Sequence, residues 1–288
     1  MHRRQKILIL GANGMLGNAV YRTFATSPNY EVIGTVRSAT SRIPLPAGAN
    51  GELLAGVDVD QIHVLVDLFE QIRPDIVINC IGLVKQLATA EDPLAVLPVN
   101  AMLPHRLARL AALAGARLIH VSTDCVFSGS QGGYRESDAP DARDLYGRSK
   151  LLGEVDYPNA VTLRTSIIGT ELGSAHGLVG WFLAQSGTVK GFTKALFSGL
   201  PTVVLAEVIR DHVIPDPALR GVWHVSADPI AKFDLLHLVA TEYGKDIEIL
   251  PDDHVVINRS LDSSRFRGAT GWSPPSWRQL ITQMRQFG

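Results

Sequence analysis

The chain has 288 residues, 46% of them hydrophobic and 19% charged, with 27 Lys and Arg against 28 Asp and Glu. This is the balance of a globular protein with one large domain and a smaller lobe, and the lack of a basic excess or stripe argues against a nucleic-acid partner. Two cysteines, Cys80 and Cys125, lie inside apolar runs, the first apolar run ends at Gly11, and no run approaches membrane-spanning length. These features imply neither a disulfide scaffold, nor a secretion signal, nor a membrane span, so a cytoplasmic protein is expected.

Residues 6–10 read as a strand buried on both faces. Residues 14–24 read as a helix with Leu16, Val20 and Phe24 on one side, and residues 31–36 as the next strand. A Ser-, Pro-, Ala- and Gly-rich loop over 37–51 leads to a strand at 53–57, a helix at 61–72 and a buried strand at 75–81. A Leu- and Ala-rich helix at 104–114 and a strand at 117–122 continue the alternation. Strand, helix, strand, repeated, predicts a Rossmann-type doubly wound parallel sheet over residues 1–169. The rhythm then changes: a helix at 178–184, a strand at 223–226, an amphipathic helix at 233–243 and a last helix at 277–286. These pieces predict a smaller α/β substrate lobe over 170–288, interleaved with the end of the sheet.

Gly11-Ala12-Asn13-Gly14-Met15-Leu16-Gly17 joins the first strand to the first helix. Gly11 suits a tight turn, Gly14 a backbone approached by a pyrophosphate, and Gly17 close packing of helix on sheet. The helix N-terminus would offer free N–H groups to the phosphates. The second strand ends in Thr35-Val36-Arg37-Ser38, with no acid to bind the ribose hydroxyls of NAD. Arg37, assisted by Ser38 or Arg42, suits the 2′-phosphate of NADP instead. NADPH is therefore the expected cofactor, with NADH the alternative, and a solvated surface arginine is the bland reading of Arg37.

Tyr146-Gly147-Arg148-Ser149-Lys150 places a phenol and an amine four residues apart, on one face if a helix starts there. A free tyrosine titrates near ~10, and a neighbouring cation favours the phenolate. Tyr146 could then protonate a carbonyl oxygen as hydride reaches its carbon, with Lys150 also holding the nicotinamide ribose. Upstream, the strand 117–122 delivers Ser122 and Thr123 at its carboxyl end, where open α/β sheets build their sites. A hydroxyl there can hydrogen-bond the substrate oxygen.

The segments 11–17, 121–129 (Val-Ser-Thr-Asp-Cys-Val-Phe-Ser-Gly), 146–154 (Tyr-Gly-Arg-Ser-Lys-Leu-Leu-Gly-Glu) and 163–168 resemble the extended short-chain dehydrogenases, and most nearly the dTDP-4-dehydrorhamnose reductases. The resemblance implies a catalytic triad of Thr123, Tyr146 and Lys150, and hydride transfer from NAD(P)H to C4 of a 4-keto-6-deoxy nucleotide sugar. It further implies cofactor contacts from Gly11, Asn13, Gly14, Met15, Leu16 and Gly17, from Asp58, from Cys80, Ile81 and Gly82, and from Asn100. Thr123, Asp124, Lys85, Lys194 and Arg259 are the substrate-binding candidates, Lys194 for a diphosphate and Arg259 as the counterpart of the family's late, nucleotide-facing arginine.

Cys125 stands where the family often has an aromatic residue. Related dehydratases carry an Asp-Glu pair there; with Asp124 alone, dehydration is not expected. The segment 82–86 also departs from the usual loop. Nine histidines are scattered without ligand spacing, so no metal site is read. Two other readings stay open: a nucleotide-sugar epimerase, which returns the hydride, and a non-catalytic NADP-binding regulatory subunit. The oligomeric state is open as well, a homodimer included.

Overall fold

The computed structural model describes residues 3–38, 43–84, 91–172 and 177–288. In chain order the first elements are β1 (Gln5–Leu10), α1 (Met15–Ala25), β2 (Tyr30–Val36), β3 (Gly51–Ala55), α2 (Ile62–Ile72), β4 (Ile76–Asn79) and α3 (Pro93–Leu97). A π-helical turn, Pro98–Met102, leads directly into α4 (Leu103–Leu113), followed by β5 (Arg117–Thr123), α5 (Leu145–Leu152) and β6 (Ala160–Thr165). Then come β7 (Ile167–Ile168), α6 (Leu178–Ala184), β8 (Thr188–Phe192), β9 (Ala195–Phe197), β10 (Leu200–Pro201) and α7 (Thr202–Val208). The chain ends with β11 (Gly221–His224), β12 (Ile230–Ala231), α8 (Lys232–Tyr243), β13 (Glu248–Asp252), β14 (Ile257–Asn258), α9 (Ser264–Thr270) and α10 (Trp277–Phe287). Among the described residues no helix is long and apolar enough to cross a membrane.

Two compact units form, each from several segments. The first holds Met1–Ser122, Asp144–Leu163 and Ala206–Val222; the second holds Thr123–Arg143, Arg164–Leu205 and Trp223–Gly288. The units exchange segments on both sides of residue 169, and β5, β6 and β11 give their last residues to the second unit.

The central sheet has seven strands in the order β11-β6-β5-β4-β1-β2-β3, the expected Rossmann-type arrangement. β1 pairs in parallel with both β2 and β4, so the strand order reverses beside β1. Open α/β sheets bind ligands at the carboxyl ends of the strands at such a reversal. The register aligns Leu8 with Ile33 and Val77, and Val77 with Leu118. That row packs on Leu65, Leu68, Phe69, Leu103 and Leu107 from α2 and α4. Alternate residues, Ile7, Ile9, Val32, Ile76 and Ile78, turn to the opposite face by the period of the strand and are buried too. Burial on both faces is why these strands read as unbroken apolar runs.

The second unit has its own core, in which Phe182, Val189, Phe197, Leu235, Leu236, Val239, Ile281 and Met284 pack together. Its strands form small sheets: β10 with β7, β9 between β12 and β14, and β13 parallel to β8. α10 starts with a capping box between Ser276 and Gln279, which fixes its first turn.

Candidate active site

The turn between β1 and α1 is built by its own backbone. Gly11 has φ +80°, open to glycine at little cost. Ala12 N donates to Thr35 O at 2.9 Å, tying the turn to β2, and Gly14 N donates to Gly11 O at 3.0 Å. A methyl group on Gly17 would lie 2.0 Å from Gly11 O, so only glycine allows this approach of helix to strand. Gly14 differs: a methyl group there would meet only Gly11 O at 3.4 Å, an ordinary contact. The protein's own packing explains Gly11 and Gly17 but leaves Gly14 open on an exposed surface beside Asn13. No side chain caps the N-terminus of α1, whose first residues are Met15, Leu16 and Gly17. Amide donors and an unfilled approach at a strand-order reversal fit a pyrophosphate.

Arg37 and Ser38 follow β2 and are exposed; Arg42 lies outside the described residues. Asp58 lies beyond β3, where its carboxylate accepts from Asp60 N at 3.2 Å and its carbonyl from Gln61 N at 3.1 Å, shaping the entry to α2.

α5 is N-capped by Asp144, whose side chain accepts from Gly147 N at 2.7 Å. Tyr146 is half-buried in its first turn, and Lys150, one turn on, is 5% exposed. Lys150 Nζ donates to Val121 O at 2.8 Å, joining α5 to the end of β5. Burial lowers the ammonium to about 8, against the opposing pull of Glu154 and Cys80. Burial likewise pushes the Cys80 thiol up to about 12, with Lys150 opposing, so Cys80 is a neutral thiol at physiological pH.

Asn100 sits in the π-helical turn. Its Oδ1 accepts from Leu83 N at 2.8 Å, and its Nδ2 donates to Leu83 O at 3.0 Å and to Ser149 Oγ at 3.3 Å. Its amide thus holds the segment after β4 in the manner of a strand partner and ties it to α5. A methyl group on Gly82, in that segment, would lie 3.9 Å from Lys150 Nζ. Ile81 N donates to Asn79 Oδ1 at 3.1 Å, which fixes the exit from β4. The structure therefore brings Cys80, Ile81, Gly82, Asn100 and Lys150 into one neighbourhood of the first unit.

Three further residues belong to this neighbourhood, of which Glu154 and His120 are not candidates from the sequence. Ser122, expected to offer its hydroxyl at the strand end, instead donates to Glu154 Oε1 at 2.8 Å. Glu154 could have been found from its place four residues beyond Lys150. His120 is buried and accepts at Nδ1 from Asn79 Nδ2 at 3.1 Å, while its Nε2 has no hydrogen-bond partner. Burial, with Lys150 nearby, holds this imidazole well below its usual range, so it is neutral.

In the second unit Thr123 and Asp124 are both 7% exposed. Thr123 Oγ1 donates to Asp124 Oδ1 at 3.2 Å and accepts from Cys125 N at 3.1 Å. Burial raises the Asp124 carboxyl above the usual carboxylate range, with Arg259 the largest opposing influence. Arg259 Nε donates to Phe127 O at 2.8 Å, and Asn258 N to Gly129 O at 2.7 Å, so the segments carrying Asp124 and Arg259 are laced together. Phe127 stacks on Tyr134 with centroids 4.2 Å apart, which supports the same loop.

Lys194 is exposed and pairs with Asp253 at 3.0 Å, away from this group in the contacts it makes. Lys85 lies outside the described residues. Asp252, Asp253 and His254 bring possible ligand atoms within 4.8 Å of one another. Asp252 is already paired with His254 and Lys190, and Asp253 with Lys194.

The family described as RmlD substrate binding domain matches residues 5–286. The probable low-salt glycan biosynthesis reductase Agl14 of Haloferax volcanii is 28% identical, over 93% of this chain and 93% of that protein. The methionine adenosyltransferase 2 subunit beta of Rattus norvegicus is also 28% identical, over 92% of this chain and 78% of its own length. In three dimensions the dTDP-4-dehydrorhamnose reductase of Bacillus anthracis, solved in complex with NADP, aligns with a TM-score of 0.80 at 20% identity. The alignment covers 99% of this chain and all of that one, and it shows a shared fold.

Proposed function

Since the chain belongs to the RmlD substrate-binding-domain family, we propose that it reduces the 4-keto group of a 6-deoxy nucleotide sugar with NADPH. It is an oxidoreductase, similar over nearly its whole length to a glycan biosynthesis reductase. The observation that carries the reading is Lys150: a buried ammonium held by a strand-end carbonyl at 2.8 Å, one helical turn from Tyr146. A buried cation is costly even when hydrogen-bonded, and groups so perturbed cluster at reaction centres.

The first unit would hold the dinucleotide. Gly11, Asn13, Gly14, Met15, Leu16 and Gly17 would cradle the pyrophosphate, Arg37 and Ser38 the 2′-phosphate, and Asp58 the adenine side. Cys80, Ile81 and Gly82, positioned through Asn100, would line the nicotinamide side. When bound, the reduced cofactor supplies a hydride to the carbonyl carbon. Tyr146 Oη gives its proton to the carbonyl oxygen, and Lys150 stabilises the charge left on the phenol oxygen and holds the ribose. Thr123 adds a hydrogen bond to the substrate oxygen. Arg259, Lys194 and Lys85 would meet the sugar and its diphosphate, and Asp124 would serve the substrate end through its hydrogen bond with Thr123.

The likeness to a protein named as a subunit gives a second reading, a non-catalytic NADP-binding regulator. Oxidation of NADPH against a panel of dTDP-, UDP- and GDP-4-keto-6-deoxy sugars, with the C4 configuration of the product read by NMR, tests the first. One NADPH consumed per sugar reduced is expected; an epimerase would consume none. Calorimetry that finds no dinucleotide binding removes both readings, and full biological function in Tyr146→Phe moves the regulator to first place.

A further inference from the structure

The Thr123 hydroxyl has one hydrogen and two lone pairs. The hydrogen is committed to Asp124 Oδ1 at 3.2 Å, and one lone pair is taken by Cys125 N–H at 3.1 Å. While Asp124 is ionised, Thr123 therefore has no hydrogen left for a substrate oxygen. What it presents is a lone pair, which repels negative charge developing on that oxygen. A proton on Asp124 reverses the pair: the carboxyl O–H donates to Thr123 Oγ1, and the hydroxyl hydrogen becomes free to turn outward.

We infer that Asp124 is a positioning residue for Thr123, a carboxylic acid whose own proton decides whether the threonine hydroxyl points to Asp124 or to the substrate oxygen. The inference rests on the reading of Thr123 as the donor to that oxygen. Three features make the arrangement workable. Asp124 is 7% exposed, so water does not offer an alternative donor freely. Its burial favours the neutral acid, the state that releases the hydroxyl. The groups that oppose this are Arg259, which precedes Ser260 in the loop after β14, Lys232 at the start of α8, and the neighbouring Cys125 and Thr123. Arg259 divides its guanidinium, donating from Nε to Phe127 O at 2.8 Å. The motif Thr-Asp thus carries two functions in one: the acid is buried beside the hydroxyl it governs.

The donor-competent form exists below the Asp124 pKa and is lost as pH rises through it. In Asp124→Asn the carboxamide donates N–H to Thr123 Oγ1 at every pH. The fall in kcat that the wild type shows as the Asp124 acid ionises should therefore vanish in Asp124→Asn, while the separate alkaline limb set by Lys150 near about 8 stays in place. In Thr123→Val the rate falls by about 100-fold, the size of one lost oxyanion donor. Adding Asp124→Asn to Thr123→Val should change the profile no further, because the acid acts through the hydroxyl. If Asp124→Asn lowers the rate as much with Val at 123 as with Thr, the acid acts on the substrate directly and the proposal falls.

A second readout does not need turnover. A 13C NMR titration of the whole chain, with the Asp124 carboxyl identified by its loss in Asp124→Asn, should give a midpoint above the ordinary ~3.9. That midpoint should rise further in Thr123→Val, which removes a donor to the carboxylate. A midpoint indifferent to Thr123→Val overturns the proposal. Failure of every nucleotide sugar to turn over would instead count against the reductase reading, and the titration would still decide the coupling.

Discussion

Ser122 Oγ donates to Glu154 Oε1 at 2.8 Å, and the residue before it, Val121, accepts from Lys150 Nζ at 2.8 Å. Two consecutive residues at the end of β5 thus grip α5 at the buried amine and the chain one turn beyond it. Glu154 is the largest influence raising Lys150 against its burial. Glu154→Gln keeps a hydrogen-bond acceptor for Ser122 and removes the charge. The Lys150 pKa should drop further below about 8, and the alkaline limb of the kcat/KM profile should move to lower pH by about one unit. Glu154→Ala should do the same and lose the Ser122 tie as well. An unmoved alkaline limb in both variants would show that Glu154 does not act through Lys150.

The same amine makes stability depend on pH. Lys150 gives up its proton near 8 in the folded chain against an ordinary 10.5. Between those values the unfolded chain binds more protons than the folded one, so stability rises with pH across the window. The cost of the buried charge is fully present below about 8 and is relieved by about 10.5. Its size is on the order of 3 kcal/mol. Lys150→Met removes the titration, and its lost hydrogen bond to Val121 O shifts both ends of the range alike. The stability of the wild type relative to Lys150→Met should therefore climb by about 3 kcal/mol between about pH 7.5 and about pH 10.5. Guanidinium chloride unfolding at several pH values measures it, and a flat difference would contradict the burial argument.

The sheet was legible because its strands are buried on both faces and read as apolar runs, as Ile7 to Leu10 and Ile76 to Ile78 do. The second unit offered no such signal. Ile167–Ile168, Leu200–Pro201, Ile230–Ala231 and Ile257–Asn258 are two-residue strands, too short to show a period. α7, with the sequence Thr-Val-Val-Leu-Ala-Glu-Val, is buried nearly all round, so its helical period is hidden and its β-branched residues suggest a strand. Pro93 and Pro98 masked the run of helix that carries Asn100. In the site, the glycine spacing and the Tyr146–Lys150 spacing are local and could be read. The ties of Asn100 to Leu83 and of Ser122 to Glu154 join residues 17 and 32 positions apart and exist only once the sheet has formed.

Gly14 and Gly17 should respond to alanine in opposite ways. Gly17→Ala places a methyl group 2.0 Å from Gly11 O, a backbone atom that cannot give without opening the turn. Its expected cost is about 2 kcal/mol or more, seen as a lower thermal midpoint even without ligand. Gly14 has φ −74°, comfortable for alanine, and its methyl group would lie 3.4 Å from the nearest atom. Gly14→Ala should unfold within about 0.5 kcal/mol of the wild type yet bind NADPH at least ~10-fold more weakly, because the methyl group fills the approach to the helix N-terminus. Equal NADPH affinity in Gly14→Ala and wild type, by calorimetry, would remove the pyrophosphate from this turn.

If the proposed function holds, Arg37 should decide between the two nicotinamide cofactors. It follows the last residue of β2, is exposed, and has Ser38 rather than an acid beside it. An exposed guanidinium there has the fork geometry that a 2′-phosphate needs, and NADH has no group to match it. A hydrogen bond to a charged partner contributes roughly 1.5–3 kcal/mol, so Arg37→Ala should raise the KM for NADPH by about 10- to 100-fold and that for NADH far less. Because the contact is between exposed charges, the NADPH advantage of the wild type should also shrink as salt is raised, and the variant should lose that salt dependence. Arg37→Asp goes further: the carboxylate repels the phosphate and offers an acceptor pair to the ribose hydroxyls, so the preference should invert toward NADH. Steady-state kinetics with both cofactors at two ionic strengths measure all three effects. Parallel changes for NADPH and NADH in Arg37→Ala would mean that this arginine shapes the loop and does not read the phosphate.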